Sequence, residues 1–201
     1  MRRALALLLT AAIPLSTVPA PAQTHAHADP AAGAAFAALG KAYLDGLARF
    51  SPVYATQLGD HRSDADLDDR SEGARGRALA FAKTMLEDLG RIDRAALSPT
   101  DQVDAALLDN ALRYDVWRTE KLQDWAWDPQ LYNETAGSAL YGLAARDFAP
   151  WSVRMRAATA RMEKLPALLA QTRASLVPAR VPRIHAETVA RQNGGLIEVV
   201  D

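Results

Sequence analysis

Apolar residues in this chain recur at steps of three and four almost from end to end, and that spacing restricts it to helices. Phe36, Leu39, Tyr43, Leu47 and Phe50 trace one face of a helix entering from Pro30. Leu79, Ala82, Leu86 and Leu89 trace a second, with Ser71 as its cap and Gly73 and Gly76 weakening its first turn. Val103, Leu107, Ala111 and Tyr114 give a third stripe, and Trp151, Met155, Ala158, Met162 and Leu165 a fourth, continued by Leu168, Leu169 and Leu176. Runs of β-branched residues with period-two alternation are missing except at Leu196 to Val200. The expected fold class is all-α, a multi-helix array.

The breaks between these helices are also written locally. Ser51-Pro52 can open a short helix that Gly59 closes after Leu58. Ser98-Pro99-Thr100-Asp101 is the clearest start signal: the serine can accept from the backbone, proline fits the first helical position, and the acid suits the positive helix end. The helix it opens should run to about Leu122. Trp125 to Tyr132 reads as a turn region around Asp128-Pro129, and Ser138 to Leu143 as a short segment before a helix beginning near Pro150. Pro166 should kink or restart that helix, and Pro178 and Pro182 should stop it. Ala186 to Gln192 reads as a last helix interrupted by Asn193-Gly194-Gly195. Leu196, Ile197, Val199 and Val200 would then offer apolar surface that nothing follows. Residues 31–201 are therefore expected to be the N-terminal, incomplete part of a larger helical domain.

Met1 to Ala22 has the layout of a secretory signal peptide: Arg2 and Arg3, an apolar run from Ala4 to Ile13, and Ala20-Pro21-Ala22 as the cleavage site. The run is shorter than the roughly 20 residues needed to span a bilayer, so no stable membrane anchor is expected after cleavage. Residues 23–30, with His25 and His27, read as a flexible leader. The expected location is periplasmic or secreted. With no cysteine in the sequence, neither a disulfide framework, a thiolate site nor a lipid-bearing cysteine is available, so a packed core must supply stability. About 180 mature residues suffice for that.

Without Arg2 and Arg3, 21 basic residues face 24 acidic ones, so nothing steers the mature chain toward nucleic acid or anionic lipid. The arginines of the last third, among them Arg146, Arg154, Arg156, Arg161 and Arg173, read as a solvated helix face.

The residues offer little chemistry of their own. Asp64, Asp66 and Asp68 match the first, third and fifth positions of a calcium loop, but Asp69 stands where the turn needs glycine and Arg75 where a bidentate glutamate is needed, which leaves an acidic solvated loop. His25, His27, His61 and His185 include no His-Glu-x-x-His pattern. No nucleophile elbow and no phosphate-binding glycine loop occurs. Catalytic, cofactor and metal residues are thus expected to be none within this chain. Trp117, Trp125, Trp127 and Trp151 could stack on a sugar or peptide, although tryptophans near helical stripes more often fill a core.

Two blocks carry a resemblance. Phe50-Ser-Pro-Val-Tyr-Ala-Thr-Gln-Leu-Gly-Asp-His61, followed by Leu67-Asp-Asp-Arg-Ser71, resembles the opening of the bacterial domain-of-unknown-function 885 family. Pro182-Arg-Ile-His-Ala-Glu-Thr-Val-Ala-Arg-Gln-Asn-Gly-Gly195 resembles a later helix of that family, with Trp127-Asp-Pro-Gln-Leu-Tyr132 in between. The resemblance implies an exported, helical protein similar to zinc-dependent metallopeptidases, whose metal motif lies downstream of the matched region and has no counterpart among these residues. What it implies is the N-terminal helical fragment of a peptidase-like hydrolase, inactive alone, with zinc and a peptide or other small substrate belonging to the complete protein. Trp127 and Tyr132 are the candidate cleft-facing residues, core packing being the plainer role for both. The alternative is a self-contained periplasmic helical binding or adaptor module without catalysis.

Overall fold

Asp29 accepts a hydrogen bond from the Ala31 amide at 2.9 Å and so caps α1 (Pro30–Phe50), whose second signal is the proline at its first position. The computed structural model describes residues 28–198, with side chains to residue 195. The expected signal peptide and its cleavage site at Ala20 and Ala22, most of the leader, and the side chains of the apolar ending at Leu196 to Val200 lie outside the described residues. Among the described residues the fold is all-α, and no strand occurs.

α2 (Pro52–Leu58) starts at Pro52 and stops at Gly59, whose φ of 93° is one that a side chain would strain. Ser51 precedes it without giving a side-chain cap. α3 (Glu72–Gly90) is capped by Ser71, which accepts from the Ala74 amide at 3.2 Å, and it runs unbroken through Gly73 and Gly76. α4 (Pro99–Trp117) opens on Ser98, whose hydroxyl oxygen accepts from the Asp101 amide and whose hydroxyl proton goes to the Asp101 carboxylate. One π turn, Arg118–Leu122, extends α4 to the expected end. α5 (Gln130–Ala145), α6 (Trp151–Met162), α7 (Leu165–Ser175) and α8 (Arg183–Glu198) complete the array. Pro166 restarts the chain as α7, in the first turn of a helix where no amide is needed.

Three expectations change. Ser138 to Leu143 is no separate segment but the second half of α5, a helix of 16 residues. Asn193-Gly194-Gly195 does not interrupt α8, which continues to Glu198, because glycine weakens a helix without forbidding it. The face of α4 is the third. Val103, Leu107 and Tyr114 are exposed, whereas Ala105 and Leu112 are buried and Leu108 and Val116 half-buried against the core.

The main packing pairs are α3 with α4 and α5 with α6, while α1 reaches both α3 and α2. Phe36 and Leu39 of α1, Met85 and Leu89 of α3, and Leu97 and Leu112 at and along α4 form one apolar core. Leu89, Leu97 and Leu112 are almost wholly removed from water, each contributing roughly 2 kcal/mol by burial. A second cluster, Leu140 and Leu143 of α5 with Ala157 and Ala158 of α6, is smaller.

Around that smaller cluster two arginines, Arg154 and Arg161, are buried, which corrects the solvated face expected for them. Arg154 donates to the carbonyls of Leu143 and Ala144 at 3.1 and 3.0 Å, two of the four carbonyls that the end of α5 leaves without helical partners. Arg161 donates to the carbonyls of Asp66 and Ala139 at 2.9 Å each and to the Thr56 hydroxyl at 2.7 Å. One guanidinium thereby ties α2, the acidic loop, α5 and α6 together.

Candidate functional site

The three carboxylates of the expected calcium-like loop point to separate protein donors. Asp64 accepts from the Thr56 hydroxyl at 2.7 Å, Asp66 from the Lys164 ammonium at 2.8 Å, and Asp68 from the Val53 amide at 3.1 Å and Arg70 at 2.9 Å. Burial raises the Asp68 carboxyl above its ordinary range, opposed by Arg70 and the Val53 amide. The loop is thus a latch onto α2, α6 and α7, and its Asp68 is buried rather than solvated. His61 lies 3.1 Å from Asp64 and stacks on Phe148 with ring centroids 3.6 Å apart. Among the described residues no three His, Asp or Glu side chains converge as a metal would require, so these residues do not fit a zinc ion.

A concave site lies elsewhere, between α1, α3, the end of α4 and the start of α5. It is a partly open cleft with a volume of about 410 Å³. Gly46 makes one wall possible: a Cβ there would meet the Phe81 ring at 2.2 Å, so only glycine lets that ring lie against α1, with Phe50 5.4 Å away.

The opposite wall is Trp125. The π turn that ends α4 and the left-handed Gln123 (φ 52°) turn the chain so that this indole faces α3. Its ring N–H donates to the Thr119 carbonyl at 3.1 Å, its amide to Asp124 at 2.8 Å, and its carbonyl accepts from the Tyr132 hydroxyl at 2.6 Å. Asp124 is held in turn by Arg118. Arg75 of α3 lies over the fixed indole, its guanidinium carbon 3.8 Å from the ring centroid.

Charge in the lining is unbalanced. Five arginines, at 49, 70, 75, 77 and 118, face three aspartates, at 69, 115 and 124. Asp69 is paired with Arg77 and Asp124 with Arg118. Partial desolvation in the cleft wall pushes the Asp115 carboxyl up, against the pull of Arg118. Burial also pushes the Tyr132 phenol up, opposed by a hydrogen bond with Ser175 and by the charges of Arg75 and Arg70.

Of the two residues expected to face a cleft, Tyr132 belongs to this lining, although it is 6% exposed and its hydroxyl is spent on the backbone. Trp127 stands apart from it. Its ring N–H donates to the Leu122 carbonyl at 3.0 Å, and its ring meets His185 of α8 edge-on at 5.7 Å. His185 in turn lies 2.9 Å from Asp128. Sequence reasoning marked neither arginine as a site residue: Arg75 entered only as the mismatch at the last position of the calcium-loop pattern, and Arg70 only as part of the Leu67 to Ser71 block that carried the resemblance.

Residues 52–201 match the model of a family described as bacterial protein of unknown function (DUF885). The chain is also similar to a solved structure described as "a putative lipoprotein of unknown function from Shewanella oneidensis", with 32% identity and a TM-score of 0.76 over 83% of this chain. It spans 30% of the length of that structure. No curated protein matches it.

Proposed function

This chain belongs to the DUF885 family of bacterial proteins, and from that premise we propose that it forms the N-terminal helical wall of the substrate cleft in an exported, peptidase-like hydrolase. The observation that carries the reading is the cleft, which joins an apolar wall to a cationic one in the way small-molecule and peptide sites do. Support for export comes from the layout of Met1 to Ala22 and from the lipoprotein description of the similar structure. A zinc-bound water would supply the nucleophile in the complete protein. Among the described residues no cluster suits that metal, so the part proposed for them is to bind and orient: Trp125 and Phe81 would flank the substrate, and the arginines would face its negative groups.

A complete reading frame containing this sequence, purified and incubated with a mixture of short peptides, should yield cleavage products by mass spectrometry. A chelator should abolish them and zinc should restore them. The 201-residue chain alone should bind without cleaving. Absence of cleavage by the zinc-loaded complete protein would sink the hydrolase reading in favour of a helical binding module that uses the same partly open cleft.

A further inference from the structure

We propose that Arg75 and Arg70 form a carboxylate-binding subsite in this cleft, selecting ligands that carry a free carboxylate beside an apolar group, as a peptide does at its C-terminal residue. The assignment rests on the cleft being a ligand site, as proposed above, and names the chemistry it takes.

Arg75 is the first part of the argument. Its guanidinium makes no hydrogen bond or ion pair among the described residues, and its one partner is the face of Trp125 at 3.8 Å. Stacking fixes the plane of the guanidinium and leaves its donor edge unused, which is the geometry for bidentate recognition of a carboxylate. The indole beneath is itself tied at its ring N–H, its amide and its carbonyl, so the platform is rigid before any ligand arrives.

Arg70 supplies an independent sign. One end of its guanidinium is used: Nη2 donates to Asp68 and to the Thr135 hydroxyl, both at 2.9 Å. Its Nε is buried and has no acceptor. That buried Nε is out of a ligand's reach, whereas Nη1 makes no hydrogen bond among the described residues and is not buried, so it is the donor that a ligand oxygen can take. Arg70, Arg75 and Tyr132 all line the same cleft.

The rest of the lining narrows the ligand. With two of the five arginines paired to lining aspartates, the cleft keeps a small positive excess, suited to a monoanion, while its three carboxylates disfavour a phosphate dianion. Phe50 and Phe81 give an apolar surface for the group next to the carboxylate.

The probes are N-acetyl-L-phenylalanine and its carboxamide, titrated into the full chain by isothermal calorimetry. The acid should bind at least about tenfold more tightly than the amide, the scale of a charge-assisted hydrogen bond. Arg75→Ala should erase that preference while leaving the circular dichroism spectrum unchanged. If the alanine variant does not fold, Arg75→Gln replaces it, keeping bulk and losing charge. Equal binding of acid and amide, or a preference that survives in the folded Arg75 variant, overturns the subsite. Because the readout is binding rather than turnover, the subsite and the hydrolase reading can fail separately.

Discussion

The two halves of the array are held together by different physics. In the half built from α1, α3 and α4, Phe36, Leu39, Met85, Leu89 and Leu112 meet in one continuous apolar core. In the half built from α2, α5 and α6 the apolar cluster is small, and Arg161 and Arg154 occupy the interior with their donors distributed over backbone carbonyls. An apolar core tolerates changes of shape within limits, because dispersion and burial are not directional. The arginine-centred half has no such latitude: removing the cation leaves several carbonyls dry and unpaired, and removing a carbonyl partner leaves a buried charge. A protein can thus be packed in one half and bolted in the other.

Arg161→Ala is the sharpest way to break the contrast. It should cost about 4 kcal/mol, since the carbonyls of Asp66 and Ala139 and the Thr56 hydroxyl all lose a donor. Urea denaturation followed by circular dichroism reads this directly, and a loss below about 1 kcal/mol would mean that the buried arginine is incidental. Leu89→Ala tests the other half. About 3 kcal/mol should be lost, within the usual spread for a fully buried leucine, and the same denaturation experiment measures it. The contrast sharpens if Arg161→Met, apolar and of similar length, fails to rescue the first variant while Leu89→Met largely rescues the second. The smallest effect is expected from Ser98→Ala, which removes the cap of α4 without touching either interior and should lower stability by about 1 kcal/mol in thermal melts.

The same contrast governs how much was legible from residues alone. The starts of α1, α3 and α4 were readable because Pro30, Ser71 and Ser98-Pro99 each satisfy a local need of a helix start, whereas the Asp29 cap of α1 was not marked. The buried face of α4 was not. That helix carries two apolar stripes, one through Val103, Leu107 and Tyr114 and one through Ala105, Leu108, Leu112 and Val116, and periodicity cannot say which of them meets a neighbour. On α6 the difficulty is stronger, because its interior face contains Arg154 and Arg161, which every hydropathy argument places in water. The cleft shows a mixture. Tyr132 was named from its block, but the stacking of Arg75 on Trp125 depends on a π turn and one left-handed residue that no pattern in Arg118 to Gln123 announces.

The bonds made by Arg161 also bear on the order in which the molecule can assemble. Those to Asp66 and Thr56 join residues 95 and 105 positions apart in the chain, so they yield nothing until most of the intervening helices are in place. The contacts between α3 and α4 bridge a short stretch of chain and can form early. Arg161 is then a closing contact, and such contacts act chiefly on the rate at which a finished structure comes apart. Its guanidinium sets how long the cleft, once built, stays built.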